Sequence, residues 1–242
     1  MRTFFLLVTF CLGAQATTVT YDSSALLNAA FANQLGTWLN EGDLALTRIY
    51  STDGPPANWS AFHTAADGQG RTFTVAEALV CNYVSNCIVS NALIGGYDPL
   101  SWSSIGDYNY ATLDSARTAF IFNLTSTTIY TEHLGTSDGQ YQAKNHVALG
   151  PTFGGGFDLL LGDAASSSAA EVYSYGPAQF SGMSIAGANS TVSIQYASEF
   201  TLGRVEVFTI ADVAGVPEPS SVALVGVGLL ATLRLRRRSV AS

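Results

Sequence analysis

Ser60-Ala61-Phe62-His63-Thr64-Ala65-Ala66-Asp67-Gly68-Gln69-Gly70-Arg71-Thr72-Phe73-Thr74-Val75 is the stretch on which the fold reading turns. Its centre, Asp67-Gly68-Gln69-Gly70, reads as a tight, hairpin-like turn. Residues 71–76 after the turn are rich in β-branched and aromatic side chains and read as a strand. Residues 59–64 before it read as a second short strand.

Outward from this turn the chain repeats the same grammar. Strands are expected at 44–50, 92–97, 119–124, 157–161, 192–196 and 203–210, with one or two more within 140–149. Gly95-Gly96 ends one strand and Gly154-Gly155-Gly156 leads into another. Asp53-Gly54-Pro55-Pro56 is a turn, and 164–170 is a low-complexity loop. Residues 81–87 are apolar and interrupt the pattern. Near the start, Asp22-Ser23-Ser24 caps an expected helix over 25–39. Leu26, Leu27, Ala30, Phe31, Leu35, Trp38 and Leu39 fall close to one face of it, and Gly42 ends it. Many short strands with one or two helices predict an α+β, mainly β fold. Its architecture is a two-sheet antiparallel sandwich with flanking helices.

Composition agrees. Hydrophobic residues make up 48% and charged residues 12% of the 242. That excludes a disordered acidic chain, a coiled coil and a collagen-like fibre. Residues 17–216 hold five basic residues (Arg48, Arg71, Arg117, Lys144 and Arg204) against 17 acidic ones, a net charge of −12. Such a surface repels phosphate backbones, so nucleic acid is not an expected partner.

The two ends read differently from the body. Arg2 precedes an apolar run to Leu12, and Ala14-Gln15-Ala16 is an A-x-A cleavage signal. Residues 1–16 therefore read as a secretory signal peptide, handled by the Sec translocon and signal peptidase. Residues 17–213 form the body and 214–242 a tail. The tail opens with Pro217-Glu218-Pro219, continues with an apolar run to Leu233, and stops at Arg234, Arg236, Arg237 and Arg238. A membrane helix is expected at about 220–235, with the arginines held on the cytoplasmic side.

Cys81 and Cys87 have five residues between them in an exported body. A disulfide closing this loop is expected, at about 2–3 kcal/mol of stabilisation. Two free buried thiols are the alternative. No His or second Cys pair stands nearby for zinc, and no metal site or cofactor is expected.

Two resemblances follow from these residues. Pro-Glu-Pro, a short apolar helix and an arginine cluster, in that order over 216–238, resemble the PEP-CTERM sorting signal. That resemblance implies an exosortase as partner, at least transient anchoring in the inner membrane of a Gram-negative bacterium, and later surface or extracellular location beside exopolysaccharide. In the body, five further segments join the opening stretch: 46–54, 94–108, 119–124, 150–159 and 204–208. Together they resemble the TLDc domain (TBC/LysM-associated, catalytic) over about residues 25–210. The family often has Cys where Ala66 stands, and 78–91 looks like an insertion. The resemblance implies a two-sheet sandwich with helices around it. It implies no catalytic residue, because no mechanism is established for that family. Its eukaryotic links to oxidation resistance and the vacuolar proton pump do not transfer to an exported bacterial chain.

The chemistry-bearing residues are sparse. His63 with Asp67 reads as a hydrogen-bonded pair at a turn rather than a metal or acid–base site, and His133 and His146 are isolated. Glu132, Glu171, Glu199 and Glu206 are among the glutamates available to a two-carboxylate polysaccharide hydrolase. Gly154-Gly155-Gly156 and Gly95-Gly96 read as structural, allowing close approach or unusual backbone. Trp59 and Trp102, with Tyr97, Tyr108 and Tyr110, are the rings able to stack on sugars, with core packing the favoured reading for Trp102. The expected function is an exported, non-enzymatic surface or exopolysaccharide-matrix protein. A carbohydrate-binding module on the same scaffold is the second reading, and the hydrolase the third.

Overall fold

The computed structural model describes residues 18–82, 88–162, 168–170, 173–176 and 198–213. The signal segment with Ala14 and Ala16, the Cys81–Cys87 pairing, the strand expected at 192–196, Glu171 and the whole tail from Pro217 to Arg238 lie outside what it describes. So does the Glu199 side chain. Among the described residues, no helix is long and apolar enough to cross a membrane.

Among the described residues, twelve strands and two α-helices follow in the order β1 (Val19–Tyr21), α1 (Ala29–Leu39), β2 (Leu44–Ser51), α2 (Ser60–Ala66), β3 (Thr72–Asn82), β4 (Ile88–Asp98), β5 (Asp107–Tyr110), β6 (Phe120–Asn123), β7 (Thr128–Thr131), β8 (Tyr141–Asn145), β9 (Thr152–Phe153), β10 (Leu159–Leu160), β11 (Ser168–Ala170) and β12 (Ser198–Asp212). They form two sheets that share β12. One runs β1-β2-β12-β3-β4-β6-β7 and the other β5-β8-β9-β10-β11-β12. Every pairing is antiparallel except β1 with β2. The mainly β, two-sheet reading agrees with this architecture.

The first sheet is buried on both faces, which explains why its strands do not alternate cleanly between apolar and polar. Val205 and Val207 of β12 join a core that includes Trp59, Phe62, Trp102 and Phe153. Phe208 and Ile210 point to the opposite face and meet Ala32 and Leu35 of α1, with Phe73 and Phe122. A bulge leaves Ile49 of β2 without its own partner on β12. It flips β2 from one core to the other: Leu44 and Leu46 face α1, whereas Tyr50 faces the second sheet.

Several local expectations change. Residues 60–66 form helix α2, not a strand. Asn58 Oδ1 accepts from the Ser60 amide (3.1 Å) at its start, and Phe62, His63 and Ala66 are its buried residues. The seven-residue run is too short to show helical periodicity, and its alanines favour helix once the tertiary face exists. The Asp67–Gly70 turn therefore joins a helix to a strand, with Gly68 and Gly70 at φ 73° and 81°. Helix α1 begins four residues later than expected, at Ala29, capped by Asn28 Oδ1 on Phe31 N (3.0 Å). Ser24 Oγ does accept from the amides of Leu26 (3.0 Å) and Leu27 (2.7 Å), as a cap would, but the turn it closes stops short of α1. Residues 78–82 and 88–91 do not interrupt the sheet: they continue β3 and β4 as a paired hairpin out to Asn82 opposite Ile88. Residues 168–170 of the expected loop form β11.

Candidate functional site

Trp59 and Trp102, the candidate ligand face, are both core residues, which corrects that reading and agrees with the core reading of Trp102. Trp59 is 2% and Trp102 1% exposed. Trp59 packs at 5.9 Å from Phe62 and 6.3 Å from Tyr50, and Trp102 lies 5.5 Å from both Phe62 and Phe153. Trp102 Nε1 donates to Thr72 Oγ1 (2.8 Å). Their ring faces are taken by other rings, so no sugar reaches them. Tyr97 is likewise buried, against Phe73 and Phe120.

The glycines serve close packing. A Cβ on Gly95 would sit 1.9 Å from the Thr74 carbonyl oxygen, and one on Gly96 2.6 Å from the Phe153 ring. Gly154 has φ 82°, and a Cβ there would strike the Asp158 carboxylate. Gly155 and Gly156 lie against the side chains of Tyr141 and Tyr173.

His63 and Asp67 do come together, Nδ1 to Oδ1, at 2.8 Å. His63 Nε2 faces the carbonyl oxygens of His146 (2.9 Å) and Leu149 (3.0 Å), while Asp67 Oδ2 accepts from Ser104 N (2.7 Å). Both ring nitrogens are thus occupied by backbone or turn contacts that tie α2 to two loops. His146 contributes its backbone rather than its ring. His133 is separate: its carbonyl accepts from Arg117 Nη1 at 2.6 Å.

Glu206 is a structural clasp. It is 1% exposed and accepts from Ser24 Oγ, Ala25 N (3.0 Å) and Arg48 Nη1 (2.9 Å). Those bonds pin the segment before α1 to the sheet. Asp158 plays the same part for residues 173–175, accepting from the amides of Tyr173, Ser174 and Tyr175. Burial nevertheless pushes its carboxyl up to about 6, against the pull of those amides.

Two further acids sit in the interior. Asp98 is fully buried and raised to about 7 by burial, though Leu100 N (3.0 Å) and Asn109 Nδ2 (2.9 Å) donate to it. Glu132 is 4% exposed, and burial raises it to about 9; the charge of Arg117 acts the other way. The Ala119 amide reaches Gln142 Oε1 (3.3 Å), and both Glu132 carboxyl oxygens are without a partner of hydrogen-bonding geometry among the described residues. At neutral pH Glu132 is a protonated acid sealed in the interior. Such a group is not an open general acid, because no reacting atom can approach it.

The surface carries two of the tyrosines named from the sequence, Tyr108 and Tyr110, joined by Tyr141, which the sequence reading missed. Tyr108, Tyr110 and Tyr141 cluster with centroid distances of 5.9, 4.9 and 5.1 Å. Lys144 Nζ stands 4.1 Å from the Tyr108 ring centroid. Strand pairing builds the cluster, since Tyr108 opposes Lys144 and Tyr110 opposes Tyr141 across β5 and β8. Among the described residues, no group of three His, Cys, Asp or Glu side chains could hold a metal ion.

No curated protein matches the chain. Residues 215–238, which contain Pro217-Glu218-Pro219 and the four terminal arginines, match the PEP-CTERM protein-sorting motif.

Proposed function

We propose that this chain is an exported surface or exopolysaccharide-matrix protein, sorted by an exosortase, whose TLDc-like body acts without catalysing a reaction. The PEP-CTERM match over 215–238 carries this reading. A motif of that class implies export, anchoring through the C-terminal region and recognition by an exosortase. The A-x-A signal at Ala14 and Ala16 fits the same route.

The side-chain chemistry of the body supports the non-enzymatic part. Glu206 and Asp158 spend their oxygens on holding chain segments, and Glu132 is sealed away. A hydrolase needs one carboxyl to donate and another to act as base or nucleophile on a bound glycoside. Glu206 and Asp158 hold structural posts instead, and Glu132 lies out of a substrate's reach.

The test is the intact mass of the mature protein recovered from envelope and medium. A chain ending within residues 217–221, with or without an added anchor, is the expected result. A mass that retains Arg238 at steady state refutes exosortase processing, and protein retained in the cytoplasm refutes export.

A further inference from the structure

We propose that the tyrosine face of β5 and β8 is a binding surface for a neutral glycan chain. The inference rests on the matrix role proposed above and names a ligand class and a place for it.

The face is built, not incidental. In β8, Gln142 and Ala143 are both buried, while Tyr141 and Lys144 on either side of them turn outward. This follows from the bulge that makes Tyr110 oppose Tyr141 rather than Gln142. The bulge re-aims one side chain and so places a third ring beside Tyr108 and Tyr110. Behind the rings, the Gly154–Gly156 backbone forms a floor with no side chains. Tyr108 Oη donates to the Gly155 carbonyl (3.2 Å), and the Tyr141 ring lies where a Cβ on Gly155 would be. Tyr173, 47% exposed, crosses Gly156 in the same way.

The chemistry of these rings selects the ligand. Tyr110 is 46% exposed, and its ring is tilted 52° to Tyr141 and 66° to Tyr108. A pyranose has one apolar C–H face and a rim of hydroxyls. A tyrosine offers an apolar face for the first and a phenol for the second, on a side chain with little rotamer freedom to lose. Charge decides between neutral and anionic glycans. Asp107 and Asp138 act on the tyrosine cluster, the body as a whole is acidic, and Lys144, the cation beside it, already sits over Tyr108. An anionic polymer would be repelled.

The test is affinity electrophoresis of the full-length protein in mild detergent. Native gels carry dextran, galactomannan or xyloglucan as neutral probes and alginate as the anionic one. Retardation by at least one neutral polymer and none by alginate is expected. Tyr110→Ala and Tyr141→Ala should each weaken it about tenfold, while Leu113→Ser, a surface control, leaves it unchanged. Tyr110 lies on an edge strand, so its variant keeps the fold even if Tyr141→Ala does not; near-UV circular dichroism confirms this. No retardation of folded protein by any neutral polymer overturns the proposal. So does retardation that survives both tyrosine variants, or a preference for alginate. Mass and fractionation of the same samples report sorting independently: normal processing without glycan retardation sinks this inference alone, and retardation without processing sinks the sorting reading alone.

Discussion

Glu132→Gln should flatten the dependence of stability on alkaline pH. The unfolded chain releases this proton near 4.5, whereas the folded chain holds it up to about 9. Folding therefore takes up a proton between those values. Below 4.5 both states hold the proton and stability is unaffected; as pH rises from there toward 9, the uptake grows costlier and stability is lost. The slope for one such group is about 1.4 kcal/mol per pH unit. Between pH 6 and pH 8 the wild type should lose about 1–3 kcal/mol through Glu132, the lower figure allowing for relaxation of the site. The glutamine side chain cannot ionise and loses none of it. It also leaves an amide unsatisfied in the interior, so the variant's absolute stability at pH 6 is lower, and only the difference between pH values is diagnostic. Urea midpoints of both proteins at pH 6, 7 and 8 read it out. Asp98 and Asp158, raised to about 7 and 6, titrate in both proteins and cancel in the comparison. A stability gap between wild type and variant that is constant from pH 6 to pH 8 would show that Glu132 ionises without penalty, and the reading of a sealed neutral acid would be wrong.

Three more outcomes are expected. Trp102→Ala removes a 1%-exposed ring and the Thr72 hydrogen bond, and should cost about 3–5 kcal/mol in urea unfolding. Gly96→Ala drives a methyl to 2.6 Å from the Phe153 ring that packs across the two sheets, and should cost about 1–3 kcal/mol by the same measurement. Deletion of residues 215–238 should shift the protein from the membrane fraction to the periplasm or medium on cell fractionation, because the matched sorting motif is gone.

The class of the fold was legible because strand chemistry is local. Runs such as 44–50 and 92–97 have β-branched or aromatic residues and glycine boundaries, and they lie within β2 and β4. What failed was periodicity in short or doubly buried segments. Helix α2 has seven residues, fewer than two turns, so no apolar stripe could be counted. β12 faces α1 with Phe208 and Ile210 and the second sheet with Val205 and Val207, so a half-buried strand's alternation never appears. The bulge at Ile49 has no sequence mark at all. It exists because β2 must serve two cores.

The candidate site failed for a related reason. Trp59 and Trp102 are large and aromatic, and those properties fit a core as well as they fit a sugar. Burial separates the two, and burial here depends on α2 closing over the second sheet. The tyrosines carried a fainter but better signal. Asp107-Tyr108-Asn109-Tyr110 alternates as a strand with both rings on one side, and Tyr141 and Lys144 lie three apart. A regular strand would place Tyr141 and Lys144 on opposite faces; only a bulge between them puts both outward. In β8 the adjacent Gln142 and Ala143 are both buried between the half-buried Tyr141 and Lys144, which is that bulge seen as burial. Gln142 then has an interior use, accepting the Ala119 amide beside Glu132. The inward turn that supplies this polar group to the core thus also frees Tyr141 for the surface. A change that restores a regular strand at Gln142 should therefore disturb the buried acid cluster and the tyrosine face together.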